Sequence, residues 1–172
     1  DRYQIVSTVR VQNLSRGPRP VRLVDTLHHY VTREAEGGGG FLGIGRPSTA
    51  LSKGLCTARD DDFREDREAL LDARGLPAPV FVGIEQAYFG LAIAQDIADR
   101  EPFRCVVGAD NRFANGAEHG SLFAAELQHD RVVVRPGESA VYRTMIFAGP
   151  KDADALSSDR RRSSCDRRRS RR

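Results

Sequence analysis

The 172-residue sequence predicts a mostly β fold, an antiparallel sandwich with short helices, and three observations carry that prediction. Apolar and polar residues alternate over several stretches, the period-two pattern of a strand with one buried face. Clusters of Gly, Pro, Asn and Ser separate these stretches at short intervals, as hairpins and corners require. Apolar runs stay short, of the "FGLAIA" kind, far below the roughly 20 residues of a membrane-crossing helix. A chain of this length can bury a substantial core, and many strands separated by turns imply two packed sheets.

The elements follow in order. In "YQIVSTVRVQN", Tyr3, Ile5, Val9 and Val11 share one parity, while Gln4, Thr8, Arg10 and Gln12 share the other. The first set is therefore expected to face the core. "NLSRGPRP" is a turn, and "VRLVDTLHHYVT" alternates again through Val21, Leu23, Leu27 and Val31. The two strands form a hairpin or follow one another. "EAEGGGGFLGIGRPS" breaks the pattern. A phosphate-cradling reading fails there because no Gly-Lys-Ser/Thr is present and Pro47-Ser48 replaces a helix start, which leaves a surface loop.

"DDDFREDREALLDARGLPAP" is expected to be a helix. Asp60 to Asp62 can cap it, Phe63, Leu70 and Leu71 supply an apolar stripe, and Gly75 and Pro77 end it. "VFVGIEQAYFGLAIA" favours strand, with Phe89, Leu91 and Ile93 on one side and the small Gly90, Ala92 and Ala94 on the other. "RVVVR" and "AVYRTMIF" flank "PGES" and read as a hairpin. "GPKDADAL" then reads as a helix start: Gly149 caps, Pro150 takes the first position, and Asp152 and Asp154 complement the dipole.

The formal charge of +3 averages two unlike parts. Residues 157–172 hold eight Arg against Asp159 and Asp166, a net of +6, so residues 1–156 carry −3. A mildly acidic body argues against nucleic acid as a partner. The Arg/Ser tail reads as a disordered, solvated run or an out-of-frame end; binding RNA or an anionic membrane through it is the sharper reading. The chain opens on Asp1, so it reads as a piece of something longer.

Catalytic chemistry is not signalled. His28 and His29 are adjacent on a strand and point to opposite faces, and His119 and His129 lie near loop or strand ends. No GxSxG, HExxH or CxxC is present. Glu85, beside Gln86 and Tyr88, reads equally as a polar site or as partly buried strand polarity. No catalytic residue, metal or cofactor is assigned. Cys165 lies in the tail, while Cys56 and Cys105 are either two buried thiols or a disulfide.

Two stretches carry a resemblance. "FVGIEQAYFGLAIA", with its Tyr88-Phe89 pair, and "PGESAVYRTMIFAGPKDADAL", with Gly149, Pro150, Lys151 and Asp152, resemble segments of the large periplasmic domain of YidC-type membrane protein insertases. The opening "VQNLS" strand and turn also suits that family. The match runs over residues 3–156, so residues 1–156 are expected to be the C-terminal two-thirds of such a periplasmic β-sandwich domain, with residues 157–172 a disordered Arg/Ser-rich tail after it.

The resemblance implies a β-supersandwich, the galactose-mutarotase-like architecture. It implies a non-catalytic domain on the periplasmic side of the bacterial inner membrane, with the Sec translocon and membrane protein substrates as partners. The alternative within the same architecture is a mutarotase-like carbohydrate-binding or epimerase domain. A periplasmic setting favours a Cys56–Cys105 bridge, which would contribute about 3–4 kcal/mol through loop closure. Insertases continue from this point into membrane helices, whereas Arg/Ser sequence follows Leu156 here. The chain as given is therefore not expected to insert anything itself.

Overall fold

The structure is a computed structural model and describes residues 3–31, 52–95, 103–110 and 120–151. The glycine-rich stretch, His119, the helix start at Asp152 and the Arg/Ser tail lie outside the described residues.

The described part is mostly antiparallel β. One sheet has six strands in the order β1 (Gln4–Gln12), β11 (Ser139–Pro150), β7 (Phe89–Gln95), β6 (Pro79–Glu85), β4 (Lys53–Ala58) and β5 (Asp62–Glu65). A second has three, in the order β3 (Val24–Val31), β9 (Ser121–His129) and β8 (Phe103–Asp110). A short ribbon pairs β10 (Val132–Val134) with β2 (Arg19–Val21).

Burial alternates along β9 and from Lys53 to Cys56 of β4, so one face of each sheet can be dry. Cys56, Val82, Ile84 and Ile93 of the larger sheet meet Cys105, Val107, Phe123, Ala125 and Leu127 of the smaller. Leu70 is wholly buried among them. Cys56 and Cys105 form a disulfide that joins β4 to β8 through this core, with their Cα atoms 6.5 Å apart.

The strand parity of residues 21–31 holds, with Leu27 half-buried and Val31 buried. At the start of β1 it does not. Val9 and Val11 are half-buried, but Tyr3 and Ile5 are exposed, because β1 is the outermost strand of its sheet. β1 and β3 do not pair and lie in different sheets.

The helix expected at residues 60–75 is absent. Asp62–Glu65 instead add to the free edge of β4, which places Phe63 opposite Cys56. Only a 3₁₀ turn, Glu68–Leu70, follows. Beyond it, Arg74 and Val107 exchange backbone hydrogen bonds of 2.8 and 2.7 Å, and Cys105 N donates to Leu76 O. A narrow apolar stripe could not compete with backbone pairing on two strands that already needed partners. Gly75 and Pro77 thus lie along β8 and terminate no helix.

The expected hairpin around "PGES" is also different. The turn exists: Glu138 N donates to Arg135 O at 3.0 Å, and Gly137 supplies φ 78°. Its arms, however, part company, since β10 pairs with β2 while β11 pairs with β1 and β7. Asn13 makes this corner possible. Its buried side chain donates to Val134 O and Gly17 O, both at 2.8 Å, and accepts from Ser15 N at 2.9 Å. Its backbone N donates to Glu138 O, and its O accepts from Gly137 N. One amide thereby satisfies backbone groups of both strands where they leave the sheet.

Replacing Cys56 and Cys105 together by Ala should lower unfolding free energy by roughly 2–5 kcal/mol, read as a fall in the urea midpoint. The 49-residue separation corresponds to about 4 kcal/mol of loop-closure entropy. An unchanged midpoint would show that the bridge adds nothing to the packed sheets.

Candidate functional site

The turn between β6 and β7 and the end of β11 meet at one end of the larger sheet. Gln86 N donates to Phe89 O at 2.8 Å and closes the turn, leaving Tyr88 and Phe89 68% and 58% exposed. β11 arrives beside them, with Pro150 opposite Phe89 and Gly149 opposite Gly90. Lys151 N then donates to Tyr88 O at 2.7 Å. The two stretches that carry the resemblance are therefore neighbours in space.

Gly149 and Pro150, expected to begin a helix, are instead the last residues of β11. The pairing with β7 satisfies backbone groups that a helix start would have left open. Gly149 has a packing reason as well: a Cβ there would lie 2.7 Å from Cγ of Tyr3, so the ring could not rest on the strand. Asp152 lies outside the described residues.

Two features flank this sheet end, one on each face. On the outer face, Glu85 is 8% exposed and bonded to the Arg64 guanidinium and, at 3.2 Å, to Lys151 Nζ. Burial pushes its carboxyl upward, but the hydrogen bonds and charges of Arg64 and Lys151 outweigh that and hold it below its ordinary 4.5. On the inner face, Tyr3, His29, Gln86, Phe89, Leu91 and Pro150 line a mostly apolar groove of about 380 Å³.

His29 and Gln86 supply polarity within that groove. Gln86 Nε2 lies 2.9 Å from His29 Nε2, so the amide donates to a neutral ring. Burial lowers the His29 pKa in the same sense. His28 points to the other side and is exposed. His129 is 1% exposed, with Nε2 3.0 Å from Asp25 Oδ2 and its ring edge-on to Tyr142. The sequence had suggested a strand-end or core-edge histidine; it sits in the core, because β9 turns it inward on the same parity as Phe123 and Leu127.

This arrangement suits contact more than proton transfer. Glu85 and His29 lie on opposite faces of the sheet, and each is already engaged. A carboxylate held ionised by two cations is a poor general acid. Among the described residues, no group of three His, Cys, Asp or Glu side chains could hold a metal ion. The Arg64 and Lys151 partners of Glu85, and the Tyr3 and His29 walls of the groove, were not legible in the sequence. The only signal was an acidic residue inside a strand, which demands cations from somewhere.

Glu85 has a depressed folded-state pKa, so its contribution to stability is present above its unfolded value of about 4.5 and is lost as pH falls through the folded value. Glu85→Gln should destabilise the domain at neutral pH and lose less further stability on acidification than wild type, as measured by urea unfolding across pH 2–7. His29 should titrate below 6.5 in a histidine-resolved NMR series. Protonation at or above that value would mean that the ring is not buried against Gln86.

A search of curated proteins gives no match to the chain. The family model described as the YidC periplasmic domain matches residues 1–165. With nearly the whole chain matched, and with the two most family-like stretches forming one end of a single antiparallel sheet, the chain belongs to the YidC periplasmic domain family.

Proposed function

We propose that the chain acts as a non-catalytic interaction module of a membrane protein insertase, on the periplasmic side of the bacterial inner membrane. In this reading it contacts Sec translocon components and membrane protein substrates. The observation that carries it is the apolar groove beside the β6–β7 turn, with the exposed Phe89 in its wall and the exposed Tyr88 next to it in the turn. Large exposed aromatics next to an apolar groove are costly in water and gain when another chain covers them. A groove whose polar side chains are Tyr3 and a paired His29 and Gln86 offers shape and apolar area, with little to attack a substrate.

The test is photo-crosslinking in the membrane-embedded insertase that carries this domain. A crosslinking residue at Tyr88 or Phe89 should give adducts with Sec subunits or with nascent membrane proteins, while one at the remote, exposed Val133 should not. Equal or absent adducts at all three positions would defeat the proposal. Saturable binding of a hexose, detected by calorimetry and lost on His29→Ala, would favour the carbohydrate-binding alternative instead.

A further inference from the structure

We infer that Lys151 is a positioning residue for the turn that carries Tyr88 and Phe89, holding it near the tip by its backbone and at the base, through Glu85, by its side chain. The inference deepens the interaction-module reading and rests on it for the importance of those two aromatics.

Glu85 and Gly90 are the pair that closes β6 onto β7, and the connection from Gln86 to Phe89 lies beyond them. Within it, Gln86 N donates to Phe89 O at 2.8 Å. The Tyr88 carbonyl is reached from outside the hairpin, by Lys151 N at 2.7 Å. That bond carries the β11–β7 register one step further, since Gly149 lies opposite Gly90 and Pro150 opposite Phe89. A hydrogen bond at the end of a ladder opens easily, and exposed side chains such as Tyr88 and Phe89 add little packing to hold it shut. By itself, the backbone contact would hold the turn loosely.

The side chain supplies the second hold. Lys151 Nζ donates to Glu85 Oε2 at 3.2 Å, and the acid it meets is buried. Charge-assisted bonds of this kind are stronger than neutral ones. To reach the carboxylate the lysine stem crosses Gly90, where a Cβ would lie 3.8 Å from Lys151 Cγ. A single residue therefore spans the hairpin from Glu85 at its base, over Gly90, to Tyr88 near its tip.

Arg64 makes this role separable from charge neutralisation. It too is bonded to Glu85, so the carboxylate keeps a cationic partner when the ammonium is removed. Both cations hold the Glu85 pKa down, and of the two it is Lys151 that bonds to the turn.

Amide hydrogen exchange of the purified 172-residue chain and photo-crosslinking in the membrane-embedded insertase together test this. Lys151→Met keeps the stem and loses the ammonium. It should speed exchange of the Lys151 amide several-fold, while the Cys105 amide, bonded to Leu76 O in the core, stays protected. Lys151→Arg should restore the slow exchange. Arg64→Met takes an equal charge from Glu85 and should leave the Lys151 amide as slow as in wild type. In the insertase, crosslinks from position 89 should fall several-fold with Lys151→Met and recover with Lys151→Arg. Equal exchange in wild type and Lys151→Met overturns the inference, as does faster exchange with undiminished crosslinks. Arg64→Met that loosens the Lys151 amide as much as Lys151→Met also overturns it, since the cluster would then be merely structural. A wild type without crosslinks defeats the interaction reading instead, and exchange alone then decides whether Lys151 positions the turn.

Discussion

The contact between β4 and β8 across the core fixes the rest of the molecule. Cys56 and Cys105 are both fully buried, and the bond between them sets how the larger sheet faces the smaller at that point. Leu70 and Phe63 fill the space beside the bridge, brought there by the segment that leaves β4, adds β5 and then runs along β8. The irregular stretch between β5 and β6 is therefore part of the core's construction. Its backbone groups complete the pairing of β8, and one of its side chains lies between the sheets.

Charge and apolar area are kept apart at the sheet end by the alternation of a single strand. β6 turns Ile84 inward and Glu85 outward, and the next residue, Gln86, turns inward again to meet His29. On the ionic side, Arg64 and Lys151 hold Glu85 in the wall of a groove of about 370 Å³, and on the other side lies the apolar groove of about 380 Å³. Burying a carboxylate is tolerable only with such partners. Lys151 also has a positional role, because its backbone N–H ties the end of β11 to the turn carrying Tyr88 and Phe89.

Much of the fold could be read from period-two alternation. β3, β6, β7 and β11 lie in stretches where small or apolar residues mark one face, and "NLSRGPRP" is a corner because Asn13 can satisfy several backbone groups at once. Residues 60–75 were illegible for a physical reason. Local propensity favoured a helix, and the competing pairing partners, β4 and β8, are distant in sequence or in topology. The "PGES" arms failed similarly, since a turn specifies a reversal and leaves open which neighbours the strands choose. At the candidate site, the resemblance singled out Tyr88, Phe89, Gly149, Pro150 and Lys151, and the structure brings them together. The ion pair and the groove walls come from Arg64, His29 and Tyr3, whose roles depend on register and on the facing of two sheets. No local pattern encodes either.

The burial of the bridge has a kinetic corollary. Thiol–disulfide exchange needs a thiolate to reach a sulfur, and neither cysteine has exposed surface in the closed sandwich. The bond therefore forms most readily once β4 and β8 have come together but before Val82, Leu127 and their neighbours seal around the sulfurs. A chain that closes its core over two free thiols must open again at that point before an oxidant can reach them. Once made, the bond is shielded from reductants by the same packing. How fast it is reduced then measures how often the two sheets come apart.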